Sequence, residues 1–274
     1  MNQYALSTIL AVGIMYSGDS VSMAVAGATP TSDAYLWTLQ FRKGDLVHSV
    51  THASLSGKVQ DQPLAAEIDQ SSDSRVIAVS ASGDATLQMA VQSSVTRFRG
   101  VAMKDVGSTF PVTSYSVTRH GIITRVPGNT NSDQAGSSAV FSMLLANPTP
   151  NNAVKIGETW RTSVRNRLVD NDRSVFTSTL KSVRKEGTVQ LLEIHLHARL
   201  HSTASADPDE DIIIDGDYAV DPEAGFVTHS EYSVDNLPVS AGSQTLKLRV
   251  STHVDNTLNP TGPNTAKSLN GGAK

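Results

Sequence analysis

Ile212 to Val234, IIIDGDYAVDPEAGFVTHSEYSV, is the stretch whose reading decides the fold. Side chains of a strand alternate between two faces, so residues two apart share one. Ile212, Ile214, Tyr218 and Val220 before Asp221-Pro222-Glu223-Ala224-Gly225, and Phe226, Thr228, Tyr232 and Val234 after it, keep that phase. Asp215, Asp217, Asp221, His229, Glu231 and Asp235 take the other. The pattern predicts an antiparallel hairpin with one face in a core and one in water. Pro222 presets entry to the turn, and Gly225 supplies the positive φ that closes it.

The same texture extends in both directions. Upstream, Leu192, Ile194, Leu196, Ala198 and Leu200 form an apolar stripe; downstream, Leu246, Leu248, Val250, Thr252 and Val254 form another. Nearer the N-terminus, Trp37, Leu39 and Phe41 alternate with polar residues, and Lys43-Gly44-Asp45 turns the chain into Leu46–Thr51. Ser54 to Ser74 is a loose polar stretch with a strand of no evident position. Val76–Val79 pairs through Ser80–Asp84 with Leu87, Met89 and Val91, and Tyr115–Thr124 makes a further hairpin.

Landmarks recur in one order. Phe41-Arg42-Lys43-Gly44-Asp45 corresponds to Val154-Lys155-Ile156-Gly157-Glu158, and Val79-x-x-x-Gly83-x-x-x-Leu87 to Val183-x-x-x-Gly187-x-x-x-Leu191. Tyr115-x-Val117 and Gly121 correspond to Tyr218-x-Val220 and Gly225. Two β-rich repeats are therefore expected, at 35–128 and 154–257, joined by a linker at 129–153 whose Ala135–Ala146 carries a helical apolar pattern stopped by Pro148 and Pro150. That helix reads equally as a plug for an open barrel end or as a plain connector. The expected fold class is mainly β: two antiparallel repeats forming a curved sheet, half-barrel or barrel-like body.

The ends differ in texture. Residues 1–28 carry an apolar run, Tyr4–Tyr16, followed by small residues, as in an export signal, although no Lys or Arg precedes Arg42. The run is too short to span a bilayer, so the mature chain is expected to have no integral membrane span and to be extracytoplasmic. Residues 258–274, with Asn256 and Thr257 leading in, are rich in Asn, Pro, Gly, Ser and Thr and are expected to be a disordered tail.

Composition narrows the function. Of 274 residues 39% are apolar and 18% charged, which is the soluble globular class. The 22 basic residues form no stripe with interleaved aromatics, so nucleic acid is not an expected partner. There is no cysteine, which removes disulfides, thiolate chemistry, Cys-ligated zinc and the acylated cysteine of a lipoprotein anchor.

The Lys-x-Gly-Asp turn before a long strand, the middle hairpin, Val154-Lys155-Ile156-Gly157-Glu158-Thr159-Trp160 and the Gly216-Asp217-Tyr218-x-Val220-Asp221-x-x-x-Gly225 hairpin together resemble a duplicated group of exported bacterial β proteins of unknown function. Their hairpins are similar to those of the LolA and LppX type of half-barrel. The resemblance implies a curved sheet that carries lipid or lipoprotein in the envelope, and it brings no catalytic residues.

Candidate chemistry is sparse. His195 and His197, two apart on one strand face with His201 close behind, point one way as a metal pair would. Yet Glu193 and Arg199 share that face, and a solvated sheet surface accounts for all five. Asp207-Pro208-Asp209-Glu210-Asp211 offers four carboxylates without the glycine of a calcium loop, and reads as a solvated turn. Gly18-Asp19-Ser20 falls within the signal, and neither a Gly-x-Ser-x-Gly elbow nor a phosphate-binding glycine loop is present. No catalytic, cofactor or metal residue is assigned.

The leading expectation is an exported non-enzymatic protein that binds an apolar small molecule, lipid or envelope partner. The alternatives are a metal-dependent or other hydrolase using the His195, His197 and His201 face, and a structural or surface-interaction module. The apolar stripes form either a packed core or the lining of a cavity. Ala24-Val25-Ala26 and Ala26-Gly27-Ala28 fix where a signal peptidase would cut: N-terminal sequencing of the mature chain is expected to begin at Gly27 or Thr29, and an intact Met1 on protein outside the cytoplasm would remove the cleavage reading.

Overall fold

The computed structural model describes residues 34–59, 62–98, 101–104, 112–125, 147–163, 175–201, 211–241 and 244–259. These form strands β1 (Ala34–Tyr35), β2 (Leu46–Val59), β3 (Gln62–Val79), β4 (Ala85–Phe98), β5 (Val101–Lys104), β6 (Thr113–Val117) and β7 (Ile123–Arg125). The second half gives β8 (Val154–Lys155), β9 (Thr159–Ser163), β10 (Val175–Glu186), β11 (Val189–Leu200), β12 (Ile212–Asp221), β13 (Phe226–Ala241) and β14 (Gln244–Asn259). No helix occurs among the described residues. The expected signal at 1–28 and the helix at Ala135–Ala146 lie outside them.

One antiparallel sheet runs β7-β6-β4-β3-β2-β14-β13-β12-β11-β10-β9, with β5 paired to β4; β1 and β8 form a separate ribbon. Each half is an up-and-down meander, and a single seam joins them, from Leu248 opposite Gly57 to Asn259 opposite Leu46. Toward the Asn259 end of that seam, and buried, Ser49 Oγ donates to Asn256 Oδ1 at 2.7 Å, and Asn256 Nδ2 donates to the Val227 carbonyl at 3.1 Å. Those bonds tie β2, β14 and β13 in one register. β14 itself runs to Asn259, so Leu258 and Asn259, the first two residues of the stretch expected as tail, are strand. Within the polar stretch Ser54–Ser74, residues 54–59 and 62–74 are likewise ladder, the end of β2 and most of β3.

The hairpin that decided the fold is β12–β13, and its parity holds for Ile212, Ile214, Tyr218, Val220, Tyr232 and Val234, all buried. Thr228 departs from it. Ala219 opposes His229 while Val220 opposes Val227, so Thr228 is the extra residue of a bulge and leaves the core phase.

The inward faces of both halves merge into one apolar cluster that includes Leu55, Ile68, Leu87, Tyr115, Phe176, Leu192, Ile194, Tyr218 and Val250. Burying each large apolar side chain is worth about 1.5–3 kcal/mol, so this common core holds the sheet bent around itself. The edges β7 and β9 approach closely enough that Ile123 and Ser163 line one cleft, but no ladder pairs them among the described residues, and the curl is not a closed barrel.

Two crossing segments cap one end of the curl. Trp37, Leu39 and Phe41 are buried as expected, but residues 36–42 are not a strand of the sheet; they lie across it, with Leu39 N–H on the Arg119 carbonyl at 2.8 Å and Gln40 N–H on that of Gly225 at 3.1 Å. The second strap, Asn147–Pro150, is buried; Asn147 and Thr149 N–H donate to the carbonyls of Gly121 and His120, both at 3.2 Å. Side chains below hold it in place: Tyr218 Oη and Trp160 Nε1 both donate to the Pro148 carbonyl, at 2.9 and 3.0 Å, and Tyr232 Oη donates to Asn147 Oδ1 at 2.7 Å. Trp37 meets Trp160 edge to face, centroids 5.5 Å apart.

Turn geometry repeats between the halves. Gly44, Gly83 and Gly121 have φ of 101°, 84° and 76°; Gly157, Gly187 and Gly225 have 87°, 60° and 62°. At the first of these turns Gly44 N–H donates to the Val76 carbonyl and Val76 N–H to that of Asp45, while Arg42 N–H reaches the Asp45 carboxylate. Gly157, Leu180, Glu158 and Lys155 make the same three bonds.

Two consequences are measurable. A Cβ on Gly121 would lie 2.1 Å from the Asn147 carbonyl oxygen, whereas one on Gly157 meets nothing within 4 Å, though both have positive φ. Gly157→Ala is expected to cost only the left-handed backbone penalty of about 1–2 kcal/mol, and Gly121→Ala clearly more in denaturant melts, because the strap must lift away. Equal costs would mean that the strap is not seated on the β6–β7 turn. Burial pushes the Tyr218 and Tyr232 hydroxyls well above the usual phenol range. Their neutral forms are favoured by folding, so this stability is fully present below about pH 10, the unfolded value, and is lost as pH rises beyond it. Alkaline unfolding of Tyr218→Phe is expected to begin at higher pH than wild type, at a neutral-pH cost of about 0.5–1.5 kcal/mol for the lost hydrogen bond.

Candidate functional site

The inward face of β2, β3 and β4 changes character partway along. Leu55, Ala53, Leu64, Ala66 and Ile68 are apolar at one end, as are Val47, Val76, Leu87 and Met89 at the other. Between them the same phase brings in Thr51, Gln70, Ser72, Ser74, Ser94 and Thr96, all buried. Thr51 lies directly opposite Gln70 and Gln70 opposite Ser94, forming a row across three strands; Ser49 and Ser72 form the next. Bulges between Ser71 and Ser72 and between Val76 and Ala78 let β4 keep its inward phase beside this row.

Apart from Ser49, which is bonded to Asn256, these side chains have no hydrogen-bond partner: Thr51 Oγ1, both amide atoms of Gln70, and the hydroxyls of Ser72, Ser74, Ser94 and Thr96 are all unpaired. An unpaired buried polar group costs about 1–3 kcal/mol, and a whole domain is stable by only about 5–15. Seven such atoms in one patch exceed what a core tolerates without a return, and the patch is accordingly the candidate binding site. Its chemistry is that of neutral donors and acceptors: Gln70 offers both kinds, and each hydroxyl offers either. Among the described residues the buried charged ones are Asp45 and Asp211, neither of them in the row. The row therefore suits an uncharged polar group, such as a hydroxyl, ester or amide, flanked on both sides by hydrocarbon.

A second concavity opens at the strapped end. A cleft of about 770 Å³ is lined by Ser82 and Asp84 of the β3–β4 turn, Arg119 and His120 of the β6–β7 turn, and the edge residues Ile123 and Ser163. Burial and the neighbouring Arg119 guanidinium lower the His120 pKa, and its Nδ1 pairs with Thr149 Oγ1 at 3.0 Å. Ser82 Oγ donates to the Asp84 carboxylate at 2.8 Å, so serine and imidazole are not joined as nucleophile and base.

The outer face carries the residues singled out in the sequence. His195 and His197 do point the same way, each opposite an aspartate on β12, with Nδ1 at 3.0 Å from Asp217 and Asp215 respectively. His201 pairs with Asp211 at 3.0 Å, and Arg199 Nε donates to the same carboxylate at 2.6 Å. His195 Nε2 also lies 3.7 Å from Asp215, so that carboxylate sits between the first two imidazoles, but the three histidines do not converge. Of the Asp207–Asp211 turn only Asp211 is described, and it is buried between Arg199 and His201 rather than solvated. Gly18-Asp19-Ser20 lies outside the described residues. Among those residues the group whose ligand atoms do converge is His229, His253 and Asp255, which no sequence pattern marks. The Thr51, Gln70 and Ser94 row was also missed, although the phase of Leu64, Ile68 and Val76 would have placed Gln70, Ser72 and Ser74 inward.

No helix among the described residues is long and apolar enough to cross a membrane. No family model and no curated protein matches the sequence. Among solved structures, the chain is similar to lipovitellin, from a study of lipid–protein interactions in that protein, with 7% identity over 81% of this chain and a TM-score of 0.48. The match spans 26% of the lipovitellin chain. It is also similar to a putative exported protein with a YmcC-like fold from Bacteroides fragilis, with 8% identity over 82% of this chain and 100% of that one, and a TM-score of 0.33.

Proposed function

We propose that the chain is an exported, non-enzymatic binding protein that holds an uncharged amphiphile inside its curled sheet. The polar group of the ligand bonds to the Thr51, Gln70 and Ser94 row and its hydrocarbon lies along the flanking apolar stripe. One observation carries the reading: seven unpaired polar atoms in the middle of an otherwise apolar face. A charged head group is disfavoured, since the row offers no counter-charge and a buried ion without one is costly. The hydrolase alternative draws no support from His195, His197 and His201, which pair with Asp217, Asp215 and Asp211 and do not bring their ligand atoms together.

The same reading takes the body as two copies of one unit. The three pairs of left-handed glycines and the matched bonds at the Gly44 and Gly157 turns support it. In that scheme β2, β3, β4, β6 and β7 answer to β9, β10, β11, β12 and β13, and β14 splints the first strand of one unit to the last of the other. The row belongs to the first unit alone: at the β10 and β11 positions the inward residues are Phe176, Ser178, Leu180, Leu192 and Ile194, with Ser178 the one polar exception.

Native mass spectrometry of the full chain incubated with mono-oleoyl glycerol tests this. One bound equivalent is expected, with binding reduced at least tenfold, about 1.4 kcal/mol, in Gln70→Leu. The same substitution is expected to raise the stability of the ligand-free protein by about 1–3 kcal/mol, because it removes two unpaired atoms. Absence of any adduct together with a destabilised Gln70→Leu would show that the row is satisfied internally, and the binding reading would fall.

A further inference from the structure

The seam that joins the two halves carries a second grouping, on the opposite side of the sheet from the polar row. His229 of β13 lies directly opposite Asp255 of β14, and His253 of β14 lies opposite His52 of β2. His253 and Asp255 are two apart on one strand, so all four side chains emerge on the outer face. The Asp255 carboxylate takes one imidazole on each oxygen, His229 Nδ1 at 2.9 Å and His253 Nε2 at 3.2 Å. The His229 and His253 rings stand edge to face with centroids 4.6 Å apart, and the His52 ring is 6.4 Å from that of His253.

From this geometry we propose a binding site for a divalent transition cation of the zinc or copper class, with His229, His253 and Asp255 as ligands and His52 as the fourth donor. One ligand atom from each of the first three lies within 4.8 Å of the others. Ligands about a tetrahedral zinc are about 3.3 Å apart, so modest side-chain rotations close the site on a fixed backbone. Those rotations are open to them, since the side chains of His229, His253 and Asp255 are 34%, 41% and 62% exposed. Imidazole with a carboxylate suits zinc and copper and gives calcium or magnesium little.

Two features separate this group from the other histidines. His195 and His197 pair with Asp217 and Asp215, and His195 Nε2 is also 3.7 Å from Asp215, but their ligand atoms do not all come within 4.8 Å of one another; His48 pairs with Asp73 across the strands. At the seam, by contrast, two imidazoles and the carboxylate they share bring their ligand atoms within 4.8 Å of one another, and a third imidazole stands beside them. His52 is also prepared as a donor: its Nδ1 is held by Asp69, which itself accepts from Arg97, leaving Nε2 as the ligand atom. A carboxylate behind a histidine is the usual support of a metal ligand. Although partial burial of Asp69 works the other way, its bonds from His52 and Arg97 keep its carboxyl below the ordinary range, and the bond from His229 does the same for Asp255, so both are anionic at neutral pH. A cation here spans β13, β14 and β2, and so bridges the first long strand to the last two.

Isothermal titration of the untagged full chain with zinc chloride, and copper paramagnetic resonance on the same protein, test the site. One saturable equivalent is expected, with at least two nitrogens in the copper hyperfine pattern. His253→Ala and Asp255→Asn are each expected to weaken zinc at least tenfold and His52→Ala by less, while His195→Ala/His197→Ala binds as wild type. Unchanged circular dichroism in each variant is expected from its exposed position, and the copper spectrum of His229→Ala, reporting one nitrogen fewer, gives a reading independent of affinity. Absence of saturable binding below about 100 μM, or equal loss in the His195→Ala/His197→Ala protein, would overturn the proposal.

Discussion

Everything in this molecule hangs on one ladder between its first long strand and its last. Each meander taken alone has an apolar face and nothing to lay it against, and a sheet with one greasy side is not stable by itself in water. Pairing β2 with β14 makes one sheet long enough to bend until its two ends share a core, and Trp37 reaches Trp160 across the cap. Asn256 fixes the register of that ladder by bonding Ser49 on one side and the Val227 carbonyl on the other, inside the core where a slipped alternative would leave the amide unpaired. The straps, the edge cleft and both candidate sites all derive their geometry from it.

The two faces of the seam region show opposite solutions to the same problem of placing polar atoms. Outside, nearly every imidazole finds an aspartate across a strand, in arrangements that water screens and that contribute little individually to stability. Inside, hydroxyls and an amide sit among leucines and isoleucines without partners. The inner pattern works against folding, and proteins keep such groups where recognition needs them. The asymmetry between halves points the same way. The first half carries the polar row at positions where the second carries Phe176, Leu180 and Ile194, so the turns that build the sheet are alike while the surfaces they present differ.

How much of this was legible in the sequence follows from which patterns are local. The β12–β13 hairpin was, because Ile212 to Val234 holds both strands, the turn and both phases; only Thr228 misled, since a bulge shifts phase without changing composition. The turn glycines were equally plain. In Ser54–Ser74 a strand was expected but could not be placed, because Gln70, Ser72 and Ser74 occupy core positions and make the segment look like loop. Trp37 to Phe41 failed the other way, alternating like a strand while crossing the end of the sheet as a strap. The seam left no trace at all, since Ser49 and Asn256 are 207 positions apart and neither strand's pattern names its neighbour. With it went any view of His52, His229, His253 and Asp255 as one group.

The order of strands has a bearing on how such a chain comes into being. As the chain emerges from the ribosome β2 is made well before its partner β14, so one border of the nascent meander stays unsatisfied until the last of the described strands has appeared. Long-range ladders of this kind form slowly. A polypeptide built this way remains pliable until β14 is in place, and only then does the sheet lock around its common core.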